Sequence, residues 1–384
     1  MKVENIPEYY DVYHPYKAIF WRERLEDLKK GNLIAPPFVM LHCEAFCPHD
    51  CSFCAYRNSG WNDDPKGMRF FGEWAKDVKD GQTGKPKGKL IKGVSGWTKE
   101  LTERLPKEMH ECGVKAVEIT GSGEPLAFPH IELLFTELAK YNFETAVVTN
   151  AQLLTPRIRG FIKNLKWMRF SMDSCTRETH SKVHGVGITV FDKCVEHISD
   201  AVKEFPEAYL GISYIITKNN YAEVLQSAEF WKQKGVKSIR YSFEYEPSGT
   251  AKLTAEQVGV ARQQISEAKK IQGNNFRVFG QVERLDTYDR PNTDFHYCGQ
   301  QMMTWNVGYD GKCYPCCIEI YKPHTVFGDL NKQSFKDVCF GDFRKKYVDS
   351  FDVTKCNNCW LRDKNIAIET LLSPEKRIGH QNFP

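Results

Sequence analysis

Three cysteines, Cys47, Cys51 and Cys54, share one short loop, CPHDCSFC, with the spacing C-x3-C-x2-C. Three thiolates leave a tetrahedral zinc site one ligand short. Iron–sulfur clusters are usually held by four cysteines, so three on a [4Fe–4S] cluster leave one iron without a protein ligand. Such an iron can bind an exogenous chelate, for example the amino and carboxylate groups of an amino acid. The competing readings are a zinc knuckle and a chance cluster. Cys43 lies four residues earlier, at the end of an apolar run and outside the loop.

A second group of cysteines opens at Cys298, in CGQQMMTWNVGYDGKCYPCC, and closes at KCNNCW, which holds Cys356 and Cys359. Within it, Cys313-x2-Cys316 with Cys356-x2-Cys359 would make a four-cysteine zinc ribbon. The chain has 14 cysteines in all. No apolar run reaches the roughly 18 residues of a membrane span, and the polar, aromatic start MKVENIPEYYDVYHPYK has no signal-peptide core. The expectation is a soluble cytoplasmic protein, where disulfides are rare and clustered cysteines point to metal or catalysis. Cys43, Cys112, Cys175 and Cys194 fall in expected strands, helices or their ends and read as core residues. The 11 histidines form no ligand-like cluster, and His42 and His49, which flank the first loop, receive no role.

The elements that must position these thiols emerge from periodicity. PPFVMLH reads as a buried strand leading into the first cysteine loop. TKELTERLPKEMHECG has helical spacing, and VKAVEIT is a strand leading into GSGEPLAFP. HIELLFTELAKY, ETAVVTN, PRIRGFIKNL, WMRFSMDS, VFDKCVEHISDAVKEF, LGISYIIT, YAEVLQSAEFWKQKG and SIRYSFEY continue the alternation. Six strands separated by helices predict a parallel sheet. A closed barrel needs eight βα units, so the expected fold is α/β: a partial (β/α)6 TIM-like barrel with a small C-terminal α+β domain around the second cysteine group. Sites in parallel sheets lie at the C-terminal strand ends, where the first cysteine loop, GSGEP, TNAQ and MDS fall. Arg240, Tyr241 and Glu244, at the end of the sixth strand, are candidates for substrate contacts. The expected divisions are an N-terminal helical extension (1–35), the partial barrel (36–250), a linking helix (251–290) and the C-terminal domain (291–384).

At these positions the chain resembles the radical S-adenosylmethionine (radical SAM) superfamily. Cys47-x3-Cys51-x2-Cys54, with Phe53 before the last cysteine, is similar to its signature loop, and Ser122-Gly123-Glu124-Pro125 to its GGEP motif, with Ser122 in place of the first glycine. The resemblance implies that the three cysteines hold a [4Fe–4S] cluster whose open iron chelates S-adenosyl-L-methionine (SAM). An electron then cleaves a C–S bond to give a 5′-deoxyadenosyl radical, which takes a substrate hydrogen. It further implies SAM contacts at Gly123 and Glu124, with Ser171 and Asp173 near the ribose and carboxylate and Asn150 and Ile215 as additional contacts.

The second cysteine group resembles the auxiliary-cluster extension called SPASM, or its shorter form, twitch. Cys298-x12-Gly311-x4-Cys316 fits the family spacing, as does Cys298-x9-Gly308-x4-Cys313. Cys316 is preferred, because DGKCYPC resembles the family hairpin, and Cys313, an odd number of residues away, should point to the opposite face of a strand. The implied ligands of one auxiliary [4Fe–4S] cluster are Cys298, Cys316, Cys356 and Cys359. No cysteine comes after Cys359, so a second auxiliary cluster is not expected, and Cys313, Cys317 and Cys339 are left over.

The resemblance as a whole implies a radical SAM enzyme of oxidoreductase or isomerase type, served by a flavodoxin- or ferredoxin-type electron donor. Its auxiliary cluster would assist oxidation, epimerisation or crosslinking of a peptide or small metabolite. Two alternatives stand beside it: radical SAM modification of a nucleotide or hypermodified base in DNA or RNA, and a non-enzymatic zinc- or cluster-binding interaction protein. The net charge of +4 is mild. It is concentrated between Arg57 and Glu100, which hold ten basic and six acidic residues around a glycine-rich stretch. The segment 57–96 reads as a solvated flexible insertion, or as a lid for an anionic substrate.

Overall fold

The apolar runs of the sequence lie side by side in a computed structural model, which describes residues 14–54, 56, 96–244, 253–280, 294–356, 359 and 361–373. The described chain starts with a 3-10 turn, Pro15–Trp21, and α1 (Arg22–Lys29), then enters β1 (Phe38–Leu41). Helices and strands alternate from there: α2 (Lys99–Glu111), β2 (Ala116–Ile119), α3 (Ile131–Lys140), β3 (Glu144–Thr149), α4 (Pro156–Arg159) and β4 (Trp167–Ser171). Next come α5 (Arg177–His184), α6 (Val190–Glu204), β5 (Leu210–Ile216), α7 (Val224–Gln233), β6 (Ser238–Phe243), α8 (Ala255–Lys270) and β7 (Arg277–Gly280). The C-terminal part adds α9 (Gln300–Met303), β8 (Thr304–Val307), β9 (Lys312–Tyr314), β10 (Gly328–Asp329), α10 (Phe335–Phe340), α11 (Asp342–Ser350) and α12 (Arg362–Leu372).

All ten of these strands form one sheet, ordered β10-β9-β8-β1-β2-β3-β4-β5-β6-β7. Pairing is parallel from β8 through β1 to β7, and antiparallel in the β8-β9-β10 meander. The sheet ends at β7 and β10 and does not close, as expected for a partial barrel. It is longer than the six strands read from the sequence. The segment 251–290 is not a linking helix alone, because α8 is succeeded by β7, which pairs with β6. On the other edge β8 pairs with β1, so the second cysteine group hangs from the barrel sheet itself.

Strand alternation separates two faces. Val39, Leu41, Val117, Ile119, Met168, Phe170, Ile212, Tyr214, Ile239 and Tyr241 are buried in the main core with residues of the surrounding helices, such as Leu105, Leu134, Ile198 and Trp231. The opposite, concave face carries Met40, Glu118, Arg169, Ser171, Ser213, Ile215 and Arg240. Tyr241 therefore cannot share a face with Arg240. Its hydroxyl donates to the Val224 carbonyl at 2.6 Å within the helix layer, which removes it from the candidate substrate contacts.

The N-terminal helices close over the C-terminal part. Ala18, Leu25 and Ile34 share a small core with Met302, Met303 and Ile368. Arg344, 2% exposed, joins these layers. Its Nη1 donates to the Ile34 and Cys339 carbonyls at 2.8 and 2.7 Å, and its guanidinium lies 4.4 Å from the Trp305 ring centre.

Candidate active site

The loop that leaves β1 is held from two sides. On one side the loop after β2 lies along it: Gly123 N–H donates to the Glu44 carbonyl at 3.0 Å and Glu124 N–H to the Phe46 carbonyl at 2.7 Å. A Cβ on Gly123 would fall 2.3 Å from the Phe46 oxygen and 2.5 Å from the Ala45 oxygen, so glycine is required here by backbone contact alone. On the other side Asp50 N–H and Ser52 N–H donate to the carbonyls of His184 and Val183 at the end of α5, both at 2.9 Å. The helix stops there because Gly185 takes a left-handed conformation, φ +61°.

Cys47, Cys51 and Cys54 are half-buried free thiols in this cradle. Asn150 Nδ2 lies 3.8 Å from Cys47 Sγ, and His184 Nδ1 lies 3.3 Å from Cys51 Sγ. A set of three sulfurs with no carboxylate among them suits iron–sulfur chemistry and not a hard cation.

The residues expected to contact SAM fall into two groups by burial. Phe53, Gly123, Ser171 and Ile215 are half-buried. Glu124, Asn150 and Asp173 are buried, and their side chains serve the protein. Glu124 Oε1 accepts from Leu126 N–H at 3.0 Å and from the Thr149 hydroxyl, and Oε2 accepts from Asn150 N–H at 2.8 Å. Burial pushes this carboxyl up to about 7. Asp173 Oδ1 accepts from Ile215 N–H, and Oδ2 lies 3.1 Å from His184 Nε2.

Sequence reasoning missed α5 and its histidines. His49, His180 and His184 are buried together beneath the cysteine loop. The rings of His180 and His184 stack at 4.2 Å, and His49 stands edge-on to His184 at 5.2 Å. The segment RETHSKVH offers one apolar residue, Val183, and so no helical stripe. Its readable signal was the pair of ends, Thr176 capping Thr179 N–H and Gly185 after the last residue.

In the second group the structure brings Cys298, Cys316, Cys317, Cys356 and Cys359 within electrostatic reach of one another. Burial raises each of the four expected ligands, Cys298 to about 11 and Cys359 to about 12, and neighbouring sulfurs add to the rise at Cys316, Cys356 and Cys359. Such thiols lose their protons readily only to a metal or cluster. Asn365 of α12 donates from Nδ2 toward Cys359 Sγ at 3.6 Å. Cys313 instead pairs with Val307 and Gly328 in the sheet and is buried in the main core, near Arg344 and Cys339. Cys316, beyond the end of β9, has Cys298 and Cys317 as its neighbours. Cys317, left over in the sequence, joins the group, whereas Cys339 stays in the core.

The two cysteine groups meet at Tyr56. Its phenol is within electrostatic reach of Cys54 and of Cys316 and Cys317, as well as of Glu118. Its ring lies 6.2 Å from His42 and 6.3 Å from Tyr321. His42 Nε2 contacts Asn306 Oδ1 on β8 at 3.0 Å, and its Nδ1 lies 3.3 Å from the Ser122 hydroxyl. That hydroxyl also bonds the Tyr321 hydroxyl. Ser122, the departure from the family glycine, thus ties the GSGEP loop to the connection between β9 and β10. Below them, on the concave face, Arg169 stacks on Trp167 at 4.5 Å and lies 3.8 Å from Glu118. Arg240 and Lys364 are further cationic neighbours of Glu118. Glu244 is buried at the end of β6. Except for Gly96, the basic segment 57–96 lies outside the described residues.

Comparisons with known proteins agree with this geometry. Residues 45–231 match the radical SAM superfamily, and residues 298–360 match the iron–sulfur cluster-binding domain called SPASM. No curated protein matches the chain. Among solved structures, SuiB of Streptococcus suis bound to its precursor peptide SuiA superposes with a TM-score of 0.62 at 17% identity, covering 94% of this chain and 79% of SuiB. The enzyme anSMEcpe with bound AdoMet and Cp18Cys peptide superposes with a TM-score of 0.57 at 16% identity, covering 86% and 87%. At such identities the likeness is one of fold. No helix among the described residues is long and apolar enough to cross a membrane. The cofactors implied by the two domains are a SAM-binding [4Fe–4S] cluster, SAM and auxiliary iron–sulfur. The chain belongs to the radical SAM superfamily and carries a SPASM-type cluster-binding domain.

Proposed function

We propose that the chain is a radical SAM enzyme that modifies a peptide, with Cys47, Cys51 and Cys54 holding the SAM-binding cluster and Cys298, Cys316, Cys356 and Cys359 holding an auxiliary one. When bound, the first cluster with SAM supplies one-electron C–S cleavage and a 5′-deoxyadenosyl radical that takes a substrate hydrogen. The observation that carries this reading is that both cysteine groups come within electrostatic reach of Tyr56, beyond strands β1 and β8 that pair in one sheet. A substrate radical formed on the concave face would lie near an electron acceptor, which suits a two-electron oxidation, a crosslink or an epimerisation. The peptide is favoured over a nucleotide because two structures of like fold, SuiB and anSMEcpe, are bound to peptides.

In this reading the chain's own residues divide the work. Gly123 and its neighbours offer backbone carbonyls to the SAM ammonium, since the Glu124 carboxylate is already engaged. Phe53, Ser171 and Ile215 line the adenosyl side. Asn150, Glu124 and Asp173 hold the loops in register. Arg169 and Arg240, with Glu118, receive polar groups of the substrate. The test is anaerobic turnover with deuterated peptide libraries, and then mass spectrometry of 5′-deoxyadenosine. Deuterium in that product from a peptide supports the reading. Transfer only from a deuterated nucleoside, or from none of the substrates, contradicts it.

A further inference from the structure

The strongest unassigned feature is the contact between His184 and Cys51. We propose that His184 donates an N–H···S hydrogen bond from Nδ1 to the Cys51 sulfur and thereby sets the reduction potential of the SAM-binding cluster. The inference rests on Cys51 being a ligand of that cluster. Nothing in the family match assigns a role to His184.

Four observations carry it. The Nδ1 to Sγ distance is 3.3 Å, within the range of a hydrogen bond to sulfur. A cluster-bound cysteine sulfur carries no proton, and Nε2 accepts from the Asp173 backbone N–H at 3.4 Å, which leaves the hydrogen of the neutral ring on Nδ1. The ring cannot turn away. Asp173 Oδ2 lies 3.1 Å from Nε2, His180 stacks on one face at 4.2 Å, and the Phe53 and His49 rings close in edge-on. Finally, the backbone bonds from Asp50 and Ser52 to the end of α5 fix the sulfur relative to the ring. Gly185 is part of that lock, because a Cβ there would fall 2.3 Å from the Asp50 carbonyl oxygen.

The consequence is electrostatic. Each electron added to an iron–sulfur cluster increases the negative charge on its sulfurs, and an N–H aimed at a ligand sulfur stabilises the reduced form more than the oxidised one. A buried donor does so more strongly than an exposed one, because water does not screen it. His184 should therefore make the cluster easier to reduce. Asp173 acts one step further out, as a positioning residue whose backbone N–H holds Nε2. His49 Nδ1 lies 3.2 Å from the same His184 nitrogen.

The experiment uses full-length protein reconstituted anaerobically with iron and sulfide. The reduced cluster's signal is identified by its change on SAM addition. In protein labelled with 15N-histidine, pulsed EPR should detect a histidine nitrogen coupled to that cluster. In His184→Phe, which keeps the aromatic packing, iron content should be unchanged, the coupling should vanish and the midpoint should shift to more negative potential. His184→Asn, whose amide nitrogen takes the place of Nδ1, should recover part of the shift. A loaded wild-type cluster with no histidine coupling overturns the proposal, and so does an unchanged midpoint in loaded His184→Phe. If His184→Phe binds no iron, the wild-type coupling decides alone. If wild-type protein binds no iron at Cys47, Cys51 and Cys54, the cluster assignment fails and the proposal with it.

Discussion

The Asn150 N–H donates to Glu124 Oε2 at 2.8 Å, joining the loops after β2 and β3 above the cysteine cradle. The same carboxylate also accepts from Leu126 N–H and the Thr149 hydroxyl. A residue expected to face SAM is thus an organiser of the loops that would surround it. Burial raises its folded pKa to about 7, above the ordinary 4.5. A raised folded value means that the native state holds the proton more tightly. The stability this contributes is complete below about 4.5 and is lost as pH rises through 7, by roughly 1–3 kcal/mol. Glu124→Gln should therefore flatten the fall in stability between pH 5 and pH 8 relative to wild type. Chemical denaturation of both proteins across that range tests it. The comparison cancels groups common to both, such as His42, which burial lowers to about 4 and which works in the opposite direction.

Gly123 supports a second prediction. A methyl group there would meet the Phe46 and Ala45 carbonyl oxygens at 2.3 and 2.5 Å, and both belong to the cysteine loop. Gly123→Ala should push that loop away from β2, cost on the order of 1–3 kcal/mol and lower iron loading at the first site. The auxiliary iron should remain. Unchanged loading and stability would show that the loop is not packed as described.

How much of this was legible in the sequence depended on the kind of signal. The cysteine spacings and GSGEP were readable because their ligand chemistry needs residues close in sequence. The strands β1 to β6 were readable because each is a short apolar run between helices. β7 was not, since RVFG is four residues with an arginine first and comes after a helix that looked like a linker. α5 was hidden by its polar composition. Tyr241 was misplaced because a strand end was read as one surface, although neighbours on a strand face opposite ways. The contacts of Tyr56 with Tyr321, and of Ser122 with Tyr321, join residues about 200 or more positions apart, for which one sequence carries no periodic trace.

Cys313 and Cys316 should separate cleanly on substitution. Cys316→Ser should lose the auxiliary cluster, about four irons per chain, while leaving the SAM-binding cluster. Cys313→Ser should keep the iron and instead lose roughly 1–3 kcal/mol, as expected for a polar group placed in an apolar core. Iron and acid-labile sulfide analysis with denaturant titration would distinguish the two. Loss of iron in Cys313→Ser alone would reverse the assignment.

Arg344 is a structural charge. Its guanidinium is buried against Trp305 and bonded to the Ile34 and Cys339 carbonyls. Burial lowers it to about 10. Arg344→Ala should destabilise the fold by about 3–5 kcal/mol, because two carbonyls lose their donor and a cavity opens. Arg344→Lys should recover only part, since an ammonium cannot serve both carbonyls and the ring together. Urea denaturation of the apo and loaded forms would check both values.

The most direct measurement is SAM cleavage by the anaerobically reconstituted, strongly reduced protein. The account predicts 5′-deoxyadenosine and methionine from wild type and from Cys316→Ser, and none from Cys47→Ala, Cys51→Ala or Cys54→Ala. Intact SAM with a fully loaded wild-type protein, or cleavage that survives loss of all three loop cysteines, would contradict it.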